Sequence, residues 1–429
     1  MRDLLPAQVA ARDWASARIL DVYASYGFSR IETPAVESLP VLLGAQGGEN
    51  EKLIFKILKR GEKLSSADPA MVADLGLRFD LTVPLARYYA HLHGHLRDPF
   101  RAIQLGPVWR AEQPQKGRYR QFTQCDIDIV GLGSHLAEIE LIRATVDALA
   151  AVSLKSLTVR INDRRLLVEL VRRAGFTDAD AGPVLIALDK IDKIGADGVR
   201  RDMLAHGLAG AVVDRFLASI EAVEHGAASG EPGGASSDLD AGVVEALGAI
   251  IGAVRWEREP WAQAGTHVDI RFDPTLVRGM GYYTGPIFEI AHTGYPSSIA
   301  GGGRYDGMIG RFLGRPVPAC GFSIGFERLV EILEEAALAG AFAAPRRRVI
   351  VLVDERLADL SAPLAYARTE RQAGAIVMME PRSARSSGRQ LYQLARDGFL
   401  EGRAYQPDGS FEDLGPRLQQ KASGARDDA

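Results

Sequence analysis

The sequence predicts an α+β fold: an antiparallel sheet core with helices, interrupted by a helical insertion and followed by a small α/β domain. Three observations predict it. Residues 105–131, LGPVWRAEQPQKGRYRQFTQCDIDIVG, read as two β-prone strands joined by a basic turn around Gly117, and strands so joined pair antiparallel. Residues 163–255 carry helical rather than strand patterning and separate two β-rich stretches. From Pro345 onward strand and helix alternate: RRRVIVLVD, a helix over 355–373, AIVMME, then a helix over Ser386–Asp397. A chain of 429 residues is also too long for one ordinary core, so two or three domains are expected.

Composition narrows the function classes. Hydrophobic content of 47% and charged content of 25% are those of a soluble globular chain. A net charge of −4 excludes a general polycation, so any nucleic-acid contact must rest on local clusters of Lys and Arg. The two cysteines, Cys125 and Cys320, show no metal-ligand spacing, which points to a reducing compartment and no structural metal. No apolar run approaches ~18 residues, and the start, MRDLLPAQVAARD, is charged where a signal peptide is apolar. A cytoplasmic protein without a membrane partner is expected.

In chain order, residues 6–26 place Val9, Trp14, Ala15, Ile19, Leu20, Val22 and Tyr23 at helical spacing, and Gly27 stops the helix. Phe28–Pro34 reads as a short strand. Residues 44–66 are rich in Gly, Lys and Glu around the strand LIFKIL, and fit a mobile loop beside a site as well as a plain hairpin. In LRFDLTVPLARYYAHL a strand turns at Asp80-Leu81-Thr82 into a helix, with Thr82 as N-cap and Pro84 in the first turn. RQFTQCDIDIV alternates and sends Phe122, Gln124, Asp126 and Asp128 to one face, where buried acids need partners. For this hairpin alone, a solvated hairpin with salt bridges and a site holding a polyanion at one end and a cation at the other both fit.

Residues 135–152 read as a helix and VRIN (159–162) as a strand. Within the insertion, the Gly/Ser-rich stretch 226–240 reads as a flexible linker or a disordered loop. HVDIRFDPTLVRGMGYYTGPIFEIA is strand, turn, strand; SSIAGGGRYDGMIG sets three glycines before Arg304, a backbone that permits close approach. Neither a Rossmann fingerprint nor a P-loop occurs, so any nucleotide binds by another architecture. GFSIGFERLVEILEEAAL runs from strand into a helix that carries Arg328. The resulting division is 1–162 and 256–340 as core, 163–255 as insertion, 345–415 as a C-terminal domain and 416–429 as a disordered tail.

The pattern R-x-E, basic Gly loop, R-x-F resembles motif 2 of class II aminoacyl-tRNA synthetases, and YRQFTQCDIDIVG resembles its form in the histidyl-tRNA synthetase family. LRFDLTVPLARY (77–88), LVRGMGYYTGPIFE (276–289), AGGGRYDGMIG (300–310) and GFSIGFERL (321–329) agree in the family's order. The resemblance implies the class II sheet, a homodimer built around residues 28–40, and activation of histidine with ATP and its Mg2+ before transfer to histidine tRNA. It further implies an insertion over the tRNA acceptor arm and a divergent anticodon-binding C-terminal domain, where 14 basic residues face 12 acidic ones over 345–429.

By the same resemblance, Arg110 and Arg278 are catalytic, Arg278 standing where most class II enzymes rely on a metal. Asp80, Leu81, Thr82, Arg110, Gln124, Asp128, Arg278, Tyr282 and Tyr283 would hold histidine; Arg110, Glu112, Arg118 and Arg328 would hold ATP. Gln115 and Arg120 would meet the tRNA acceptor end, and no site residue binds a resident metal. The chemistry suits these types. Arginine forks pair with phosphate oxygens, and a carboxylate with a tyrosine hydroxyl or amide can address both imidazole nitrogens. Three positions depart from the family pattern: Asp128 is one methylene shorter than the acid common there, Gly281 lacks an acid, and Gln113 stands where an arginine is common. These departures bear on histidine affinity rather than on the type of reaction. Two further readings fit the same motifs: a regulatory paralogue of histidine biosynthesis, and a histidyl-adenylate enzyme with a non-tRNA acceptor.

Overall fold

The computed structural model describes residues 1–44, 50–60, 72–113, 119–226, 230–232, 239–279, 282–335, 347–354, 359–383 and 387–424. Two units partition the chain, Met1–Ala339 and Gly340–Ala429.

In the first unit, α1 (Pro6–Ser25) buries Ala11, Ala15, Ile19 and Tyr23, a narrower stripe than the sequence suggests, with Val9 exposed. Gly27, at φ +79°, reverses the chain. The expected strand Phe28–Pro34 shrinks to β1 (Ser29–Arg30); β2 (Val36–Ser38) and α2 (Leu39–Gly44) follow. A short 3-10 turn over Asn50–Leu53 leads to β3 (Lys56–Leu58) and β4 (Ala73–Leu77), so LIFKIL is extended only at its end. Much of the expected mobile loop over 44–66 lies outside the described residues. Next come α3 (Thr82–Leu92), the hairpin strands β5 (Phe100–Trp109) and β6 (Gln121–Val130), α4 (Leu136–Ala151) and β7 (Ser156–Asp163).

The insertion is helical as expected: α5 (Arg164–Ala174), α6 (Ala181–Leu188), α7 (Ile191–Ala205), α8 (Gly210–Gly226) and α9 (Ala241–Arg255). Asp163 caps α5 by accepting from Arg165 N at 2.8 Å, and Asp240 caps α9 through Gly242 N and Val243 N. After α10 (Arg258–Gln263) the core resumes with β8 (His267–Phe272), β9 (Pro286–His292), β10 (Ala300–Arg304), α11 (Asp306–Leu313), β11 (Ala319–Gly325) and α12 (Phe326–Glu335).

Eight strands join in the order β1-β5-β6-β11-β10-β9-β7-β8. The pairs from β5 to β7 are antiparallel, and only the outer pairs, β1 with β5 and β7 with β8, are parallel. Strands far apart in sequence thus become neighbours: β11 pairs with β6, and β9 pairs with β7. Register sets Asp128 opposite Gly321, Asp126 opposite Ser323 and Gln124 opposite Gly325.

The second unit contains β12 (Arg348–Val353), α13 (Ser361–Gln372), β13 (Ile376–Pro381), α14 (Ser387–Arg396), β14 (Glu401–Tyr405), β15 (Phe411–Asp413) and α15 (Gly415–Gly424). Its sheet runs β13-β12-β14-β15, parallel except for the last pair. FLEGRAYQPDGSFEDL forms the paired strands β14 and β15. One expectation is corrected: residues 416–424 of the supposed disordered tail belong to α15. Leu414 and Leu418 bury against Ile350, Leu391 and Phe399, which ties α15 to the sheet. Among the described residues, no helix is long and apolar enough to cross a membrane.

Candidate active site

A cavity of about 820 Å³ opens on the face of the large sheet where β6, β10 and β11 meet. Period-2 alternation along β6 aims Phe122, Gln124, Asp126 and Asp128 into it, as the sequence predicts. The glycines of β10 and β11 make the room. A Cβ on Gly321 would lie 2.0 Å from Asp128 Oδ1, and one on Gly301 would lie 2.0 Å from Arg278 Nη1.

Three carboxyls share one end of the cavity and all are buried: Asp80, Asp126 and Asp128. Loss of water raises Asp80 to about 6, opposed by its bond from Val83 N and by Arg110. Loss of water likewise raises Asp128 to about 7, opposed by the Tyr305 hydroxyl, which donates to Asp128 Oδ1 at 2.6 Å. Asp126 is pushed well above the carboxylate range by burial and then by the Asp128 charge. Asp126 Oδ1, Asp128 Oδ2 and Gln124 Oε1 are buried without a hydrogen-bond partner. Unpaired buried acceptors are costly, so this wall is complementary to a ligand that brings N–H donors and positive charge.

Three arginines also line the cavity. Arg110 donates Nε to Phe79 O at 3.1 Å and lies over the Phe122 ring at 5.0 Å. Arg278 donates Nε to Glu289 Oε2 at 2.6 Å and Nη2 to Ser298 Oγ at 2.7 Å. Arg328 donates to Ser298 O. Tyr282 and Tyr283 pack ring to ring at 4.4 Å, and the Tyr282 hydroxyl donates to that of Tyr283 at 3.2 Å. Burial pushes the Tyr282 hydroxyl up to about 12, so it stays a donor.

Of the residues predicted from sequence, Asp80, Thr82, Arg110, Glu112, Gln124, Asp128, Arg278, Tyr282, Tyr283 and Arg328 line this one cavity, and so does Gln113. Leu81 does not: its side chain is fully buried in the core, and its carbonyl accepts from Gln104 Nε2 at 2.9 Å. Thr82 opens α3 but does not cap it; Asp80 Oδ1 takes that role, accepting from Val83 N at 3.1 Å. Arg120 stands outside the cavity and donates Nε to the Glu112 carbonyl at 3.2 Å. Arg118, Gln115 and Gly281 lie outside the described residues.

Sequence reasoning missed several partners. Tyr305 sits in the quoted GGGRYDG string, yet only the fold sets its hydroxyl on Asp128. Glu327 lines the cavity and receives Arg12 at 2.8 Å and Thr123 N at 3.0 Å, which ties α1, β6 and α12 together. Gly182, Pro183 and Ile186 of α6 also line the cavity.

Comparison with known proteins places this geometry. A family model described as Histidyl-tRNA synthetase matches residues 1–329. A protein of Leifsonia xyli named Histidine--tRNA ligase is 47% identical over 408 residues, covering 93% of this chain and 92% of that one. A crystal structure of histidyl-tRNA synthetase from Nostoc sp. PCC 7120 superposes with a TM-score of 0.70 at 25% identity, covering 98% of this chain and 97% of that one. A structure from Bacillus halodurans, described as an ATP phosphoribosyltransferase regulatory subunit/histidyl-tRNA synthetase, shares the fold: TM-score 0.67, 23% identity, 89% and 91% of the two chains.

Proposed function

The chain belongs to the histidyl-tRNA synthetase family and is an ATP-dependent ligase joining histidine to tRNA, and from that premise we propose how its cavity divides the work. Asp80, Gln124 and Asp126 hold the α-ammonium group of histidine; Asp128, Tyr305 and Tyr282 hold the imidazole. The observation that carries this assignment is the row of buried, unpartnered acceptors at Gln124, Asp126 and Asp128. Arg110 and Arg278 then face the carboxylate and the α-phosphate of ATP. The histidine carboxylate oxygen attacks the α-phosphorus, the bond to the β-phosphate oxygen breaks, and pyrophosphate leaves. Both guanidiniums are held before substrate arrives, Arg278 by Glu289 and Ser298, and Arg110 by Phe79 O and the Phe122 ring. Such preorganised charge stabilises the developing negative charge without reorganisation. Arg328 and Glu112 flank the adenine, Arg118 meets the γ-phosphate, and Mg2+ enters on the ATP phosphates.

Gln115 and Arg120, which fall between β5 and β6 in sequence, are proposed to meet the acceptor end of tRNA. The second unit is proposed to contact the anticodon. On α14, Arg389, Tyr392 and Arg396 are exposed at helical spacing, a combination suited to phosphates and a stacked base. A cytoplasmic homodimer completes the reading. The test is histidine-dependent ATP–pyrophosphate exchange followed by charging of purified tRNA. Exchange and charging specific to histidine are expected. Exchange without charging would redirect the product to another acceptor, and no exchange would overturn the assignment.

A further inference from the structure

Helix α6 brings Gly182, Pro183 and Ile186 to the cavity, and the chain then turns at Asp189 into α7. Asp192, in the first turn of α7, accepts from Arg160 Nη1 at 2.7 Å. Arg160 stands on β7 with its side chain only 13% exposed, whereas Asp192 is 65% exposed. The same guanidinium is fixed to the core through Asp273 and, at 3.3 Å, through Thr275 Oγ1. Its Nη1 also lies 3.7 Å from Glu289 Oε1. The other oxygen of Glu289 holds Arg278. One half-buried arginine therefore touches the insertion on one side and the partner of Arg278 on the other.

We propose that Arg160 is a positioning residue whose bond to Asp192 latches the α6–α7 turn over the cavity and ties that latch, through Glu289, to Arg278. The inference rests on the histidine–ATP reading of the cavity. The charges run the same way: Asp189, at the turn itself, is raised by partial loss of solvent and drawn back by the Arg278 charge. The latch also has a joint. Within α7, Gly195 leaves helical geometry at φ 67° and ψ 172°, so the turn carrying Asp192 is connected to the rest of the helix by a non-helical residue. An exposed ion pair placed by chance would join neighbouring surface residues. This one joins the insertion to a guanidinium already committed to Asp273, so removing Asp192 leaves the core pairing intact.

Asp192→Asn and Asp192→Glu in the full chain test the latch. In Asp192→Asn the KM for histidine in pyrophosphate exchange is expected to rise about two- to fivefold, the range of a partly exposed ion pair, with kcat nearly unchanged. Amide hydrogen exchange over residues 181–194 of the ligand-free protein should accelerate while the melting temperature holds, and Asp192→Glu should restore both readouts. Unchanged amide exchange over 181–194 overturns the latch whatever the KM. Faster exchange with an unchanged KM overturns its link to the cavity, and a fall in melting temperature that accompanies the KM change overturns the positioning role. If the parent protein shows no histidine-dependent pyrophosphate exchange, the functional reading fails, and the amide-exchange comparison still decides whether the latch exists.

Discussion

Asp128 carries the most testable electrostatics at the scale of single residues. Its folded pKa of about 7 stands above the ordinary 3.8, and Asp80 behaves alike at about 6. For groups raised on folding, the stability they contribute is full below the unfolded value and is lost as pH rises through the folded one. The ligand-free protein should therefore lose melting temperature between about pH 4 and 7 on their account, and Asp128→Asn should reduce that loss. Histidine binding has the opposite sign, because its donors favour the ionised carboxylate. KM for histidine should fall as pH rises from 5.5 to 7.5, and Asp128→Asn should raise KM roughly tenfold or more at pH 7.5 while sparing ATP. A KM and pH profile equal to the parent's would reassign the pocket. Arg278 tests the cationic side of the chemistry. Arg278→Ala should slow adenylate formation by ~10²–10³, the scale for removing one preorganised donor. Single-turnover rates within a few-fold of the parent would remove Arg278 from the chemistry.

Strands β10 and β11 show why a glycine run can be a packing device at the scale of elements. A Cβ on Gly302 would lie 2.1 Å from Gly321 O and 2.9 Å from Phe322 Cα, where both neighbours are backbone and neither can yield. Gly302→Ala should cost at least about 2 kcal/mol in urea unfolding. Gly307→Ala, in α11 with nothing within 4 Å, should be neutral or gain ~0.5–1 kcal/mol from helix propensity. Equal stabilities for the two variants would refute the close-packing account. The glycines were legible in the sequence as permitting close approach. What approaches is this protein's own Arg278, Phe288 and Asp128, and each comes from a different strand or turn.

Quaternary structure is the open proposal at the scale of the whole molecule. The large sheet ends in β1, two exposed residues paired on one side only among the described residues. An edge of this kind invites cover, and we propose a closed twofold dimer built around residues 28–40 as that cover. Sedimentation should report a dimer at micromolar concentration; a monomer under those conditions would remove residues 28–40 from any interface role.

The sequence by itself determined the α+β class, the β5–β6 hairpin, the helical insertion and the row Gln124, Asp126, Asp128 on one face of β6. Each of these follows from local periodicity or turn chemistry, which short stretches carry in full. Tertiary structure alone decided the pairings. Arg278 with Glu289, Arg304 with Glu138, Arg12 with Glu327 and Arg160 with Asp192 depend on a strand order that sequence neighbours do not reveal. Tyr305 reaches Asp128 for the same reason. The C-terminal tail makes the point in reverse. GPRLQQKASG is polar enough to read as disordered, because its helix is stabilised by burying little more than Leu418, and that burial exists only once the sheet of the second unit has formed.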